Sequence, residues 1–222
     1  MPKHLGNALK SLKNNLLTLM EYTETTVEMA VEALENKDQA KANEVFNSDD
    51  EIDEMEVAIE EECLQILALH QPVAIDLRFI ITALKVNNDL ERIGDLAVNI
   101  SERALALSKM DDHESPFNFT IMAAKTKEML KNAIDSLMSK DTALAKKVCQ
   151  DDDEVDTINR EVYQIIYEGV KTHPERIEFY LQYLSCSRHL ERIADYATNI
   201  AEDVIYMVEG EIVRHSPDLY KD

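Results

Sequence analysis

The segment Leu90–Ile100, LERIGDLAVNI, returns one hundred residues later as Leu190–Ile200, LERIADYATNI. A repeat of this kind means duplication, so whatever one half folds into, the other half must fold into as well. Within each copy a Glu and an Asp stand four residues apart, Glu91 with Asp95 and Glu191 with Asp195, and an Asn follows one turn later at Asn99 and Asn199. The apolar series Val86, Leu90, Ile93, Ala97, Ile100, Ala104, Leu107 advances in alternating steps of four and three, the pattern of a packed helical seam. The acidic pair therefore runs along one side of that seam. Like charges at this spacing repel by roughly 0.2–0.5 kcal/mol, so a compensating partner is expected: Arg92 and Arg192, a metal ion, or solvent.

The rest of the chain reads as helices on either side of the repeated segments. Leu5 to Glu35 is apolar at helical spacing (Leu9, Leu12, Leu16, Leu19, Val27, Val31, Leu34) and forms a first helix, broken at Asn36-Lys37-Asp38 with Asp38 placed to cap the next. The second helix is predicted from Gln39 to His70, with acidic residues on its seam: Val45, Asp49, Ile52, Glu56, Ile59, Cys63, Ile66. Asp53 follows Asp49 by one turn, and Gln71-Pro72 ends the helix because proline cannot continue the hydrogen-bond ladder. A third helix carries the first LERI segment to Lys109, and the turn-like stretch Met110–Pro116 reads as a linker.

The pattern then starts again. A fourth helix is predicted over Phe117–Ser139, Lys140-Asp141 repeats Lys37-Asp38 at an interval of 103, and a fifth helix opens at Thr142. Its seam is Val148, Asp152, Val155, Asn159, Val162, Ile166, again with an Asp one turn on at Asp156. His173-Pro174 closes it, and a sixth helix runs to about Glu209, with Gly210 as its stop and Ile212–Asp222 as a loose tail. The fold class that follows is all-α, six helices in two similar three-helix bundles, divided as residues 1–110 and 111–222.

Register brings the acidic residues together. Folding back at Gln71 puts Asp53 and Asp49 at 18 and 22 residues before the turn, and Glu91 and Asp95 at 20 and 24 after it. About His173, Asp156 and Asp152 lie 17 and 21 before, and Glu191 and Asp195 lie 18 and 22 after. At about 1.5 Å of rise per residue, each hairpin gathers four carboxylates at one level. Four such groups crowded together take up protons or bind cations. An oxygen-only donor set suits Mg²⁺, Mn²⁺, Ca²⁺ or Fe³⁺ better than structural zinc. In a chain this acidic, a solvated acidic face is the competing reading, and a single Glu-x-x-x-Asp does not separate the two.

Several classes of function are disfavoured. The net charge of −21, with no Lys/Arg cluster, argues against nucleic acid. No Glu-x-x-His pair supports a di-iron carboxylate bundle, no glycine-rich loop suggests nucleotide binding, and no Ser/His/Asp or Cys/His spacing suggests a nucleophile. His189, standing where the first copy has Asp89, is a weaker ligand candidate; His70 and His173 read as turn residues. Cys63, Cys149 and Cys186 follow no metal or disulfide spacing and are expected to be reduced structural thiols. The N-terminus lacks the apolar core of a signal peptide and no run is long enough to span a membrane, so a cytoplasmic location is expected.

LERIGDLAVNI and LERIADYATNI, the acidic helix starts DDEID and DDEVD, QPVAIDLR before the third helix and the ending VEGEIVRHS together resemble the PhoU family across almost the whole chain. That resemblance implies two similar three-helix bundles and a regulatory adaptor rather than an enzyme, often dimeric and cytoplasmic. It also implies metal binding, by iron or by Mn, Mg or Zn, at E(D)xxxD motifs. Carried over motif by motif, the ligands are Asp49, Asp53, Glu91 and Asp95, then Asp152, Asp156, Glu191 and Asp195. Gly94 is replaced by Ala194 and Asp89 by His189 in the second copy, so the two sites are expected to differ. The partners implied are the ATPase subunit of the phosphate ABC transporter and a membrane sensor histidine kinase, with phosphate-starvation genes held down when phosphate is plentiful. A regulator of another transporter on the same fold, and a helical carboxylate metalloprotein, are the alternatives.

Overall fold

A computed structural model describes residues 3–110 and 115–213. They form six α-helices: α1 (Lys3–Asn36), α2 (Gln39–His70), α3 (Ala74–Ser108), α4 (Phe119–Ser139), α5 (Thr142–Thr172) and α6 (Ile177–Glu209). The linker expected at Met110–Pro116 and the tail expected from Ile212 fall largely outside the described residues. Two boundaries differ from expectation for local reasons. Helix α4 begins at Phe119, because the Asn118 side chain accepts from the Thr120 amide and sets the start there. Between α5 and α6, Pro174–Arg176 forms one 3₁₀ turn, with Pro174 at its first position, where a missing amide hydrogen costs nothing.

The duplicated caps set the other boundaries. Asp38 accepts from the amides of Ala40 and Lys41 at 2.9 and 3.2 Å, and Asp141 from those of Ala143 and Leu144 at 3.0 Å each. Just before them Lys37 and Lys140 take left-handed conformations, φ 51° and 59°. The next amides reach back, Asp38 to the Ala33 carbonyl at 3.0 Å and Asp141 to that of Ser136 at 2.9 Å. One helix is closed and the next opened within three residues, twice. Gly210, at φ 81°, ends α6.

All seven members of the α3 seam from Val86 to Leu107 are buried, and one continuous apolar core runs through both triplets. Helices α1, α2 and α3 pack on one another, as do α4, α5 and α6. Among the described residues, the triplets meet only along α3–α6 and α1–α4. Both contacts are antiparallel. Arg78 donates to the Met207 carbonyl at 3.0 Å and Lys85 pairs with buried Asp203 at 2.9 Å, while at the other end Arg103 donates to Gln182 at 3.4 Å. Likewise Thr120 donates to Glu35 at 2.8 Å and Lys13 to the Met138 carbonyl at 3.2 Å. Thus α3 and α6, which carry the repeated segments, form the centre. Each presents its acidic pair to the groove it shares with α2 or α5.

Candidate metal centre

In the first triplet the site is set by how closely α2 and α3 approach. Gly94 is buried, and a Cβ there would lie 2.8 Å from Ile52 Cδ1. Ile52 stands between Asp49 and Asp53 on α2, and Gly94 between Glu91 and Asp95 on α3, so the packing contact holds the two acidic pairs opposite each other. One turn along, Asn87 on α3 donates to the Glu56 carbonyl at 2.9 Å and to its carboxylate at 3.2 Å, pinning the register.

The carboxylates act on one another's protons. Partial burial raises the Asp49 pKa, with the charges of Asp53, Asp95 and Asp50 adding to the rise. Glu91 is raised by burial and then by Asp95, with Arg92 opposing and Asp53 and Glu56 contributing further. Arg92 offsets part of this repulsion from outside, its Nε 3.3 Å from Glu91 Oε2 and its Nη1 3.4 Å from Asp95 Oδ2. Even so, Glu91 Oε2 is shielded from solvent and has no hydrogen bond. Glu56 is a fifth carboxylate at this site, raised by burial and by Glu60 and Asp53. Its place on the α2 seam was the signal, but spacing alone grouped it with the core positions rather than with the acidic pairs.

The second triplet repeats the arrangement with different packing. Ala194 and Val155 are both buried where the first has Gly94 and Ile52, so volume lost on one helix is regained on the other. Ser187 donates to Asn159 at 2.7 Å in place of the Asn87–Glu56 bond. Here the crowding is stronger. Burial, then Asp156, Asp153 and Glu191, push Asp152 up to about 6, with the Thr198 hydroxyl opposing. Asp195 is exposed as a residue, yet the protein around its carboxyl, followed by Glu191, Asp152 and Asp156, pushes it up to about 7 against Arg192. Glu191 is raised by burial and by Asp156, with Arg188 and Arg192 opposing.

The structure therefore brings Asp49, Asp53, Glu91 and Asp95 together, and separately Asp152, Asp156, Glu191 and Asp195. Among the described residues no three Asp, Glu, His or Cys side chains form a group that holds an ion as they stand. The donor chemistry nonetheless fits a hard cation: all-oxygen sets, protons held against mutual repulsion, and a shielded Glu91 oxygen that has no hydrogen bond and only the Arg92 charge 3.3 Å away, on side chains whose outer torsions can turn. His189 stands apart from both sets. Its Nε2 lies 3.1 Å from Ser185 Oγ, and burial with Arg103, Arg192 and Arg188 lowers its pKa to about 4. His173 caps α5 through its own amide, donating to the Gly169 carbonyl at 2.8 Å. The thiols are free, with Cys63 and Cys186 buried and Cys149 half-buried, and burial pushes Cys63 and Cys149 up to about 12.

Known proteins share this fold. The PhoU domain family matches residues 16–104 and again 119–204, one match on each copy of the repeat. A phosphate-specific transport system accessory protein PhoU homolog from Aquifex aeolicus is 39% identical over 95% of this chain and 96% of its own length. One from Pseudomonas aeruginosa is 38% identical over 93% and 86%. The crystal structure of PhoU from Pseudomonas aeruginosa superposes with a TM-score of 0.89 at 37% identity, covering 93% of this chain and 99% of that one. The phosphate transport system regulatory protein PhoU from Streptococcus pneumoniae gives 0.83 at 30% identity, over 94% and 99%. With both halves matched in sequence and the six helices matched in space, this chain belongs to the PhoU family.

Proposed function

We propose that the protein is a regulatory adaptor of phosphate uptake. In this reading it joins the ATPase subunit of a phosphate ABC transporter to a membrane sensor histidine kinase and holds phosphate-starvation genes down when phosphate is plentiful. It acts in the cytoplasm, as a homodimer, without catalysis. The observation that carries the reading is similarity along nearly the whole chain to proteins named as phosphate-transport accessory and regulatory factors. No helix among the described residues is long and apolar enough to cross a membrane, which agrees with docking onto membrane partners rather than insertion.

Metal ions complete the proposal. Asp49, Asp53, Glu91 and Asp95 would hold one site, and Asp152, Asp156, Glu191 and Asp195 the other, with iron, Mn²⁺ or Mg²⁺ suiting the donors better than zinc. A bound cation would neutralise the crowded charge and give an acidic surface a positive layer toward its partners. The protein's own contribution is to hold the first acidic pairs at one level through the Gly94–Ile52 contact, with buried Ala194 and Val155 at the equivalent positions of the second repeat.

Co-purification from the native host tests the adaptor role. Tagged protein should retain the phosphate-transporter ATPase and the sensor kinase, and deletion of the gene should raise phosphate-starvation reporters in phosphate-rich medium. Retention of a different transporter, with reporters unchanged, would contradict it.

A further inference from the structure

Beside the acidic pair of the second repeated segment, on the same helix, lies a groove of the reverse charge. Leu181, Leu184, Ser185, Arg188, His189 and Arg192 wall a half-open depression of about 300 Å³. No carboxylate lines it, although the chain has 44 acidic residues against 23 Lys and Arg. Arg188 and Arg192 are exposed and one helical turn apart. Among the described residues neither closes an ion pair, although both charges act on Glu191 and that of Arg192 also on Asp195. Two like charges at this spacing repel until an anion lies between them. His189 Nε2 meets Ser185 Oγ at 3.1 Å, and its Nδ1 is shielded without any partner. From α3, Arg103 lies nearby, held by Gln182 at 3.4 Å and ion-paired with Glu102 at 2.6 Å.

The first repeat does not offer this chemistry: Ile81 and Lys85 there line a cavity shared with Glu202 and Asp203. At the equivalent positions stand Ile81, Leu84, Lys85, Asn88, Asp89 and Arg92. Lys85 is taken by Asp203 at 2.9 Å, and Arg92 by Glu91 and Asp95 at 3.3 and 3.4 Å. Duplication kept the apolar end and changed the polar end into one that offers donors and positive charge.

We propose that this groove is a phosphoryl site, in which Arg188 and Arg192 clamp a phosphate dianion presented either as inorganic phosphate or on a small phosphomonoester. Guanidinium forks match phosphate oxygens two at a time and keep their charge at every working pH. Ser185 and His189 supply further polar groups at the same end. Leu181, 50% exposed, and Leu184 offer the other end to an organic body. None of the proposed metal-binding carboxylates lines the groove, so phosphoryl binding there does not require the metal ions, although Arg188 and Arg192 also act on Glu191 and Arg192 on Asp195.

Calorimetric titration at low salt tests this on the protein as purified and again after chelation, with inorganic phosphate, phenyl phosphate and benzoate. Saturable phosphate or phenyl phosphate binding, surviving chelation and not shared by benzoate, is expected. Tighter phenyl phosphate assigns a monoester, and equal affinities assign free phosphate. Arg188→Gln should weaken binding about tenfold or more, and Arg188→Gln with Arg192→Gln should abolish it, with thermal melts showing the fold intact. Arg92→Gln, the first-repeat equivalent, should bind as the parent does. Absence of saturable binding, equal binding of benzoate, binding that chelation removes, or a folded Arg188→Gln protein with parental affinity would overturn the proposal.

Discussion

Gly94 and Ile52 show how one residue pair sets a site. A Cβ at Gly94 would lie 2.8 Å from Ile52 Cδ1 and 3.3 Å from its Cγ2, so Gly94→Ala must push the Ile52 side chain aside and with it the spacing of Asp49 and Asp53. We expect Gly94→Ala to cost about 1–2 kcal/mol by overpacking. Adding Ile52→Val should return most of it, because the second repeat carries buried Ala194 and Val155 at the equivalent positions. Chemical denaturation of the two variants checks this, and no recovery in the double variant would contradict the pairing.

The titrating side chains at the same scale give a pH dependence. Asp152 and Asp195 hold their protons up to about 6 and about 7 when folded, whereas an unfolded Asp releases its proton near 4. The folded chain therefore binds more protons than the unfolded chain between those values. Stability conferred by the two carboxyls is present at low pH and lost as pH rises through about 6 to 7. Metal-free protein should melt at a lower temperature at pH 7.5 than at pH 5.5. Asp152→Asn with Asp195→Asn should flatten that slope; an unchanged slope would show that other groups set it.

At the scale of helices, boundaries follow local chemistry. Asp38 and Asp141 each accept two amides, so Asp38→Ala or Asp141→Ala should cost about 1 kcal/mol each. The losses should add, since the caps belong to different triplets; thermal unfolding of the single and double variants measures both points. These caps, the seams and the ends of α2 and α5 were legible in the sequence because each depends on a few neighbouring residues. So was the meeting of the acidic pairs, since a tight turn at Gln71 or His173 fixes the register of everything counted outward from it. Glu56 was harder to read. It occupies a seam position, and only the Asn87 hydrogen bond from the neighbouring helix shows that its carboxyl belongs with the cluster.

At the scale of the whole molecule, the sequence was least informative. Repeat spacing predicts two like triplets but not how they join. The antiparallel α3–α6 seam rests on contacts more than a hundred residues apart, such as Lys85 with Asp203 and Arg78 with the Met207 carbonyl. A buried Asp looks like any other acidic residue until its partner is found. That seam makes one core of two halves and places the two carboxylate sites on one packed framework. If those sites are the working parts of the adaptor, cation binding should depend on both acidic pairs of each. The most direct test is elemental analysis of the purified protein after equilibration with iron and with Mn²⁺, beside a variant carrying Glu91→Gln, Asp95→Asn, Glu191→Gln and Asp195→Asn. The account predicts metal retained by the parent and lost from a variant that still melts cooperatively. Metal absent from both, or retained equally by both, would contradict it.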